Sequence, residues 1–427
     1  MARAAVTADY QVATTADGIP LKVKLRRVER LNRLRAYMLI LPLFAFIFIT
    51  FVMPIVVMLT RSVDNPLLAE NFPRTLAALQ DWDPAKEALP SEAAFAAIAE
   101  EITSARENRL LGKIATRLNY DQSGTRSLLT KTARKLKKLK GEPAIAGSWK
   151  ETLLDIDDDW GDADVWGAIK NYGSRYTLGY YLAALDMRYG LYGDIVPQPE
   201  FKQIYVQVFW RTVWISVLVT FFCLLLGYPV AYLLATLPQG TSNLLMILVL
   251  LPFWTSLLVR TTAWVVVLQT EGVLNDLLMF LNIIDERIQL IFNRFGVIVA
   301  MTHILLPFMI LPVYSVMKTI SPSYVRAAQS LGATPFTAFW RVYFPQTVPG
   351  IGAGGILVFI LALGYYITPA LVGGPTDQMI SYFIADHTQR SLNWGLASAM
   401  GAILLAGVLA MYMLYNRVVG IDNMKLG

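Results

Sequence analysis

Long runs of apolar residues, separated by shorter polar connections, dominate the pattern of this sequence. Each run of about 20 apolar residues can cross the hydrocarbon core of a bilayer as a helix. A soluble protein buries one or two such helices, whereas a larger number predicts a polytopic membrane protein. The six predicted spans are residues 37–60, 213–237, 244–268, 297–317, 350–372 and 395–415.

The overall composition agrees with a membrane protein. Hydrophobic residues make up 55% of the 427 residues and charged residues only 16%, whereas soluble domains carry about 25% charged residues. The net charge of +6 arises mainly from basic residues just before the first span. The sequence therefore predicts the lipid bilayer as a partner and gives no reason to expect nucleic acid.

Basic residues between positions 22 and 35 indicate the orientation of the chain. Cytoplasmic segments beside membrane spans are enriched in Lys and Arg, so we expect a cytoplasmic N-terminus. Six crossings then place the C-terminus in the cytoplasm and residues 61–204 outside it. The first run is long and 36 residues precede it, which favours a retained anchor over a cleaved signal peptide.

A polar segment of about 140 residues lies between the first two spans. Residues 92–117 predict a helix, residues 130–140 a basic helix, and residues 155–164 carry six Asp. The acidic and basic runs could pair with each other, bind a soluble partner or form solvated faces, and the last interpretation is favoured. The acidic run does not fit a calcium loop, because Trp160 and Trp166 occupy its Gly and Glu positions. We expect the tryptophans to form a small core or to seat the insertion at the membrane surface.

Candidate chemistry is sparse, and the sequence shows no constellation typical of an enzyme. There is no Gly-x-x-x-x-Gly-Lys-Ser/Thr phosphate loop, and Cys223, His303 and His387 are far apart in sequence. We expect no catalytic, cofactor or metal site in this chain. His303 is interpreted as a packing histidine rather than a proton relay, and His387 as a surface residue.

Arg260 is the charged residue that interrupts a predicted span, the third. Charges inside a membrane are costly and usually face an interior, a partner or a cavity. Thr255, Trp264 and Gln269 add to the polarity of the same span, which is therefore the candidate lining of a translocation pathway. The alternative, that Arg260 snorkels to the interface or pairs with a backbone carbonyl, stays open.

Residues 321–345 predict a polar helical hairpin between the fourth and fifth spans. Ser321 is a natural N-cap and Pro322 suits the first helical position. Gly332 suits a left-handed helix stop, and Thr334 followed by proline predicts the start of a second helix. Aromatic residues recur at helical spacing in that second helix, at Phe336, Phe339, Trp340 and Tyr343.

The hairpin resembles the cytoplasmic loop of permease subunits of ATP-binding-cassette importers, whose pattern is Glu-Ala-Ala, three residues, Gly, nine residues, Ile-x-Leu-Pro. Here Arg326 stands in place of the Glu, and Ser330 in place of an Asp two residues before the Gly. Residues that fit the pattern are Ala327, Ala328, Gly332, Val342, Phe344 and Pro345. Further similar stretches are residues 251–255, 272–275, 305–309, 368–374 and 393–395.

These stretches are similar to the first permease of spermidine/putrescine-type systems, over the first span and residues 205–420. The resemblance implies an all-α polytopic membrane protein with six transmembrane helices, the type I importer permease fold and a helical extracytoplasmic insertion. It implies a multi-pass protein of the bacterial inner membrane. The residues it implies for contact with an ATPase are Arg326, Ala327, Ala328, Leu331, Gly332 and Pro345.

The same resemblance implies an assembly of several proteins. This chain would pair with a second permease, two ATPase subunits would bind from the cytoplasm, and an extracytoplasmic solute-binding protein would deliver the solute. ATP and Mg²⁺ would then belong to the ATPase subunits. The predicted function is ATP-driven import of a small polar solute, with polyamine-like compounds among the candidates. The alternative is a stand-alone channel or secondary transporter with an extracytoplasmic receptor module.

The predicted organisation divides the chain into consecutive segments. These are a cytoplasmic basic segment (1–36), the first transmembrane helix (37–60), the extracytoplasmic insertion (61–204), the permease core (205–420) with its coupling loop (318–346), and a cytoplasmic tail (421–427).

Overall fold

The computed structural model describes residues 21–139 and 147–419, and side chains from residue 29 onward. The tail at 421–427 and most of the basic N-terminal segment therefore lie outside the described residues, as does Lys140. The described part is almost entirely helical, as predicted. The six helices long and apolar enough to cross a membrane are Glu29–Arg61, Tyr205–Thr236, Leu257–Phe280, Arg294–Thr319, Pro335–Gly364 and Trp394–Arg417.

The N-terminal helical unit consists of α1 (Leu21–Ile47) and α2 (Met53–Arg61), joined by a π-helical turn at Phe48–Val52. The remaining chain from Arg61 onward forms a second compact unit. Its polar part contains the helices α3 (Pro66–Asn71), α4 (Pro73–Ala78), α5 (Glu92–Glu107), α6 (Leu111–Asp121), α7 (Thr125–Leu139), α8 (Trp149–Ile156), α9 (Ala163–Tyr172) and α10 (Gly179–Ala184).

The polar insertion also contains a short β-hairpin, so it is not wholly helical. Strands β1 (Met187–Tyr189) and β2 (Ile195–Pro197) pair antiparallel. The single helix predicted at 92–117 is wrong, because Arg109 adopts a positive φ of 60° and separates α5 from α6. No Gly or Pro marks that break in the sequence.

The tryptophan core predicted for the insertion is confirmed. Trp160 and Trp166 are fully buried, with ring centroids 5.2 Å apart. The ring of Phe95 lies 4.6 Å from that of Trp166. The indole nitrogens are satisfied, since Trp160 donates to Thr132 Oγ1 at 2.9 Å and Trp166 to the Trp160 carbonyl at 3.0 Å. The insertion therefore folds around an aromatic core of its own.

The acidic and basic runs of the insertion contact each other, contrary to the favoured interpretation as purely solvated faces. Lys131 Nζ lies 2.7 Å from Asp157 Oδ2, and this interaction lowers the pKa of the Asp157 carboxyl. Lys135 donates to the carbonyl oxygens of Asp155 and Ile156 at 3.4 Å. Within the acidic run, Asp162 caps α9 by accepting from the backbone N–H of Asp164. The carboxylates of Asp157 and Asp162 therefore stabilise the fold of the insertion.

A buried ion pair joins the insertion helices. Arg117 and Asp121 form a salt bridge in which each side chain is only 6% exposed. Arg117 Nε also donates to Tyr180 Oη at 3.0 Å and to Asn65 Oδ1 at 3.2 Å. The network ties α6 to α10 and to the start of the insertion.

We expect Arg117→Met to lower the free energy of unfolding of the insertion by roughly 3–5 kcal/mol, because it leaves the Asp121 carboxylate buried without its partner. The double variant Arg117→Met/Asp121→Leu should recover most of that loss, since both charges are then gone. Tryptophan fluorescence during thermal unfolding of the full chain measures both variants. Equal destabilisation by the single and double variants would contradict the assignment.

The membrane part comes after the insertion. It begins with α11 (Tyr205–Thr236) and ends with α21 (Trp394–Val419). Between these helices lie α12 (Gln239–Leu250), α13 (Leu257–Leu268), α14 (Val273–Phe280), α15 (Arg294–Thr319), α16 (Pro322–Ser330), α17 (Pro335–Ala338), α18 (Phe344–Gly364), α19 (Ile367–Val372) and α20 (Ile380–Gln389).

Helices α11, α15 and α18 form the apolar centre of this part. Glycine allows α18 to approach α15 closely: a β-carbon at Gly354 would lie 2.9 Å from Met309 Sδ, and one at Gly350 would lie 3.0 Å from Val316 Cβ. Small residues at such crossings are a general device of membrane helices.

Two predicted spans are wrong in their boundaries. The third, 244–268, is interrupted, because α12 gives way to a 3₁₀ turn at Leu251–Trp254 before α13 begins. Pro252 lacks the N–H that would continue α12. The fifth, 350–372, ends at Gly364, and the chain restarts as α19 with Pro369 in its first turn. A proline there fits a helix start better than a helix interior.

The insertion packs on the end of the permease core where α21 begins. A β-carbon at Gly395, at the start of α21, would lie 2.3 Å from the Tyr180 ring of α10. Nearby, His387 is held by Tyr205 Oη and Ser391 Oγ, each 2.9 Å from a ring nitrogen. The prediction of a surface His387 is wrong, because the ring is partly buried and bonded on both sides.

Candidate coupling loop and translocation pathway

Local signals position the hairpin as predicted. Ser321 Oγ accepts from the Ser323 backbone N–H at 3.4 Å, with Pro322 in the first turn of α16. Gly332 has φ +92°, a value that favours glycine. Thr334 Oγ1 then accepts from the Thr337 N–H at 3.3 Å and starts α17.

The second arm of the hairpin is not a separate short helix. From α17 it continues through a π-helical turn at Phe339–Tyr343 into α18, so Pro335–Gly364 forms one span. Its aromatic residues pack on α11: the ring of Tyr232 lies 5.7 Å from Phe339 and 5.5 Å from Tyr343. The second arm is thus continuous with the membrane helix α18 and in contact with α11.

The first arm and the turn carry exposed apolar side chains. No residue of α16 is buried, and Leu331 is 89% exposed. Arg326 is also exposed, and its Nε contacts the Pro322 carbonyl at 3.5 Å. The six residues assigned to ATPase contact therefore lie on an accessible or half-accessible surface, at Arg326, Ala327, Ala328, Leu331, Gly332 and Pro345.

The four residues assigned to the pathway are not brought together as one site. Thr255 and Gln269 are exposed at opposite ends of α13. Arg260 and Trp264 lie between them, one turn apart. Thr255 Oγ1 donates to the Pro252 carbonyl at 2.9 Å, so it closes the 3₁₀ turn.

His303 joins the central pair, which the sequence interpretation missed. Trp264 Nε1 donates to His303 Nδ1 at 3.1 Å, and the His303 side chain is exposed rather than packed in the core. On the neighbouring face of α13, Thr261 Oγ1 lies 3.2 Å from Thr368 Oγ1 of α19. The only signal for this role in the sequence was the polarity of His303 itself, which stands within the fourth apolar run.

A cluster of charged residues lies near the N-terminal ends of α11 and α15. Asp377 is buried, and its Oδ1 accepts from Arg294 Nε at 3.2 Å. Arg211 donates to the Gln378 carbonyl at 3.2 Å. These contacts fix the loop after α19 against the two long helices.

Comparison with known proteins identifies the family to which this chain belongs. Residues 205–420 match the model of the family described as "Binding-protein-dependent transport system inner membrane component". The chain belongs to this family. It is accordingly a multi-pass inner-membrane protein and the transmembrane permease subunit of a binding-protein-dependent ABC importer.

Curated relatives of this permease are about a third identical to it over about half of its length. The spermidine/putrescine transport system permease protein PotB of Haemophilus influenzae is 35% identical over 226 residues, covering 53% of this chain and 79% of the relative. PotB of Escherichia coli is 34% identical over 223 residues, covering 52% and 81%.

A solved chain from a bacterial alginate ABC transporter, in complex with alginate pentasaccharide-bound periplasmic protein, has a TM-score of 0.44 at 20% identity. It covers 53% of this permease and 81% of that chain.

Proposed function

We propose that this permease forms one half of a permease pair, bound to two ATPase subunits and served by an extracytoplasmic solute-binding protein. The single observation that carries the proposal is the exposed hairpin. It presents an apolar surface, at the end of two membrane helices, that the described part of the chain leaves uncovered. ATP and Mg²⁺ bind to the ATPase subunits, where hydrolysis takes place. This chain contributes the conformational change and the path through which the solute crosses the membrane.

The hairpin is the site where the ATPase docks. Leu331 is almost fully exposed, and burying a leucine side chain contributes about 1.5–3 kcal/mol. Small residues at 327, 328 and 332 allow a close approach, and Arg326 suits an acidic patch on the ATPase. ATP binding shifts the equilibrium between permease states through its different affinity for each state.

This docking site fixes the proposed orientation. A hairpin that meets a cytoplasmic ATPase places both termini in the cytoplasm and the insertion outside. The insertion then stands over the outer ends of α20 and α21, where a solute-binding protein would dock.

The solute passes along the face of α13 that carries Arg260 and Trp264, with Thr255 and Gln269 at its two ends. The solute is small and polar, and the spermidine and putrescine in the names of the relatives make polyamine-like compounds the starting candidates. A stand-alone channel or secondary transporter remains the competing function, but it leaves the exposed Leu331 surface without a use.

Copurification tests the proposal. From detergent-solubilised native membranes, we expect the tagged chain to bring down a second permease and an ATPase, with ATP hydrolysis stimulated by a solute-binding protein. A chain that elutes alone, without hydrolysis, would support the channel or secondary-transporter function.

A further inference from the structure

Helix α7 of the insertion carries many cations and no acidic residue. Six of its 15 residues are Lys or Arg, and all six side chains are exposed. Two of them are engaged by the acidic run: Lys131 pairs with Asp157, and Lys135 donates to two backbone carbonyls. The side chains of the other four form no hydrogen bond or ion pair within the described chain, at Arg126, Arg134, Lys137 and Lys138.

These four residues, which we call the α7 stripe, share one face of the helix. At 3.6 residues per turn they lie within about 120° of one another around the helix axis and extend for about 18 Å along it. A shallow groove at the N-terminal half of the stripe adds the hydroxyl-bearing side chains of Ser127 and Thr130. The stripe is therefore a continuous, positively charged and hydrophilic surface.

The fold of the insertion does not account for the stripe. Arg134 and Lys138 are four residues apart, and like charges at that spacing destabilise a helix. The part of α7 that stabilises the insertion is its opposite face, where Leu128, Leu129 and Leu136 are buried in the core. A surface that costs stability and is left uncompensated within the described chain suits a partner of opposite charge.

The exposed face of α7 is unlike that of a helix that binds a bilayer. Such helices insert apolar side chains between the lipids, whereas the exposed residues of α7 are all charged or polar. The stripe begins close to the permease core, because the Tyr120 hydroxyl donates to the Ser391 carbonyl at 3.4 Å and the Tyr120 carbonyl accepts from Lys202 Nζ at 3.2 Å. These features favour a protein partner over lipid.

We propose that the α7 stripe is a docking surface for the solute-binding protein and recognises an acidic patch on it. This inference rests on the proposed function, which places the insertion outside the cytoplasm. The family is binding-protein-dependent, but the insertion lies outside the residues 205–420 that match the family. The stripe is thus a feature of this chain in addition to the shared core.

Electrostatic attraction of this kind acts mainly on the rate of encounter and on the choice of partner. Complementary charges steer two proteins together, and like charges suppress binding. Because salt screens exposed charges over about 8 Å at physiological ionic strength, docking through the stripe is expected to weaken as salt is added.

Stimulation of ATP hydrolysis measures this docking. The assembly of permeases and ATPases in phosphatidylcholine nanodiscs is mixed with increasing amounts of the solute-loaded binding protein. We expect Arg126→Glu/Arg134→Glu to raise the half-maximal concentration of that protein about tenfold or more at low salt, and much less at high salt. The maximal rate should stay unchanged, because the exposed stripe contacts neither the coupling hairpin nor the membrane helices among the described residues.

Two control variants separate the stripe from a general effect of charge. Arg134→Lys keeps the positive charge and should retain the original half-maximal concentration. Lys113→Glu reverses another exposed cation of the insertion, in the first turn of α6, where an acidic residue is favourable. This second variant should leave the concentration dependence unchanged.

Three results would overturn the inference. An unchanged half-maximal concentration in Arg126→Glu/Arg134→Glu would mean that the stripe is only solvated. An equal shift in Lys113→Glu would indicate a general effect of charge. A shift that occurs only when the nanodiscs contain phosphatidylglycerol would make anionic lipid the partner. The proposed function fails separately, if the unaltered chain copurifies with no ATPase or if the binding protein does not stimulate hydrolysis.

Discussion

Gly332→Asp is expected to lower ATP-driven uptake by about a hundredfold or more, while the chain still inserts and still pairs with its second permease. A β-carbon at Gly332 meets no atom of this chain within 4 Å, so the substitution clashes with no packed side chain, although a side chain at this positive φ strains the turn itself. It places a charged side chain on the docking surface, at a φ of +92°. Losing a central interface contact costs about 2–4 kcal/mol, which is on the order of a hundredfold in affinity.

The control for the added charge is Gly240→Asp. Gly240 also has nothing within 4 Å of its β-carbon, and it lies in the first turn of α12, where an acidic residue is favourable. Uptake and solute-stimulated ATP hydrolysis are measured for both variants in liposomes. Near-normal uptake in Gly332→Asp would remove the coupling role from the hairpin, and equal losses in both variants would indicate a general effect of added charge.

The hairpin could be predicted from the sequence because its determinants are local. Ser321, Pro322, Gly332 and Thr334 each act through hydrogen bonds or backbone preferences within a few residues. The six spans could be predicted because apolar length alone decides them. Apolar length was misleading where an apolar run continued across a helix break. Around Pro252 and Pro369 it predicted one span where the structure has two separate helical segments.

Contacts between distant parts of the chain could not be predicted in this way. The bond between Trp264 and His303 joins residues 39 positions apart, and a histidine in an apolar run looks the same whether it packs or faces a cavity. Arg109 adopts a positive φ and separates two helices although neither glycine nor proline stands at the break. The Arg260 Nε is buried without a hydrogen-bond partner among the described residues, and this too is visible only in the structure.

Arg260→Glu is expected to reverse the charge preference of transport. Putrescine and ornithine form a matched pair of probes, since ornithine is the same diamine with an added carboxylate. If the solute passes Arg260 as proposed, the carboxylate of ornithine meets a positive charge in the unaltered chain and a negative charge in the variant. Each unit of charge at about 6 Å contributes about 3 kcal/mol at an effective dielectric constant of about 20, so reversal should lower the ornithine-to-putrescine ratio by more than about a hundredfold.

Initial uptake of both labelled probes into liposomes with the full assembly measures this ratio, and Arg260→Lys is the control that keeps the charge. Arg294→Glu is a second comparison: its partner Asp377 would then face another carboxylate, so we expect loss of both probes together rather than a change of preference. An ornithine-to-putrescine ratio that Arg260→Glu leaves unchanged would remove Arg260 from the proposed path.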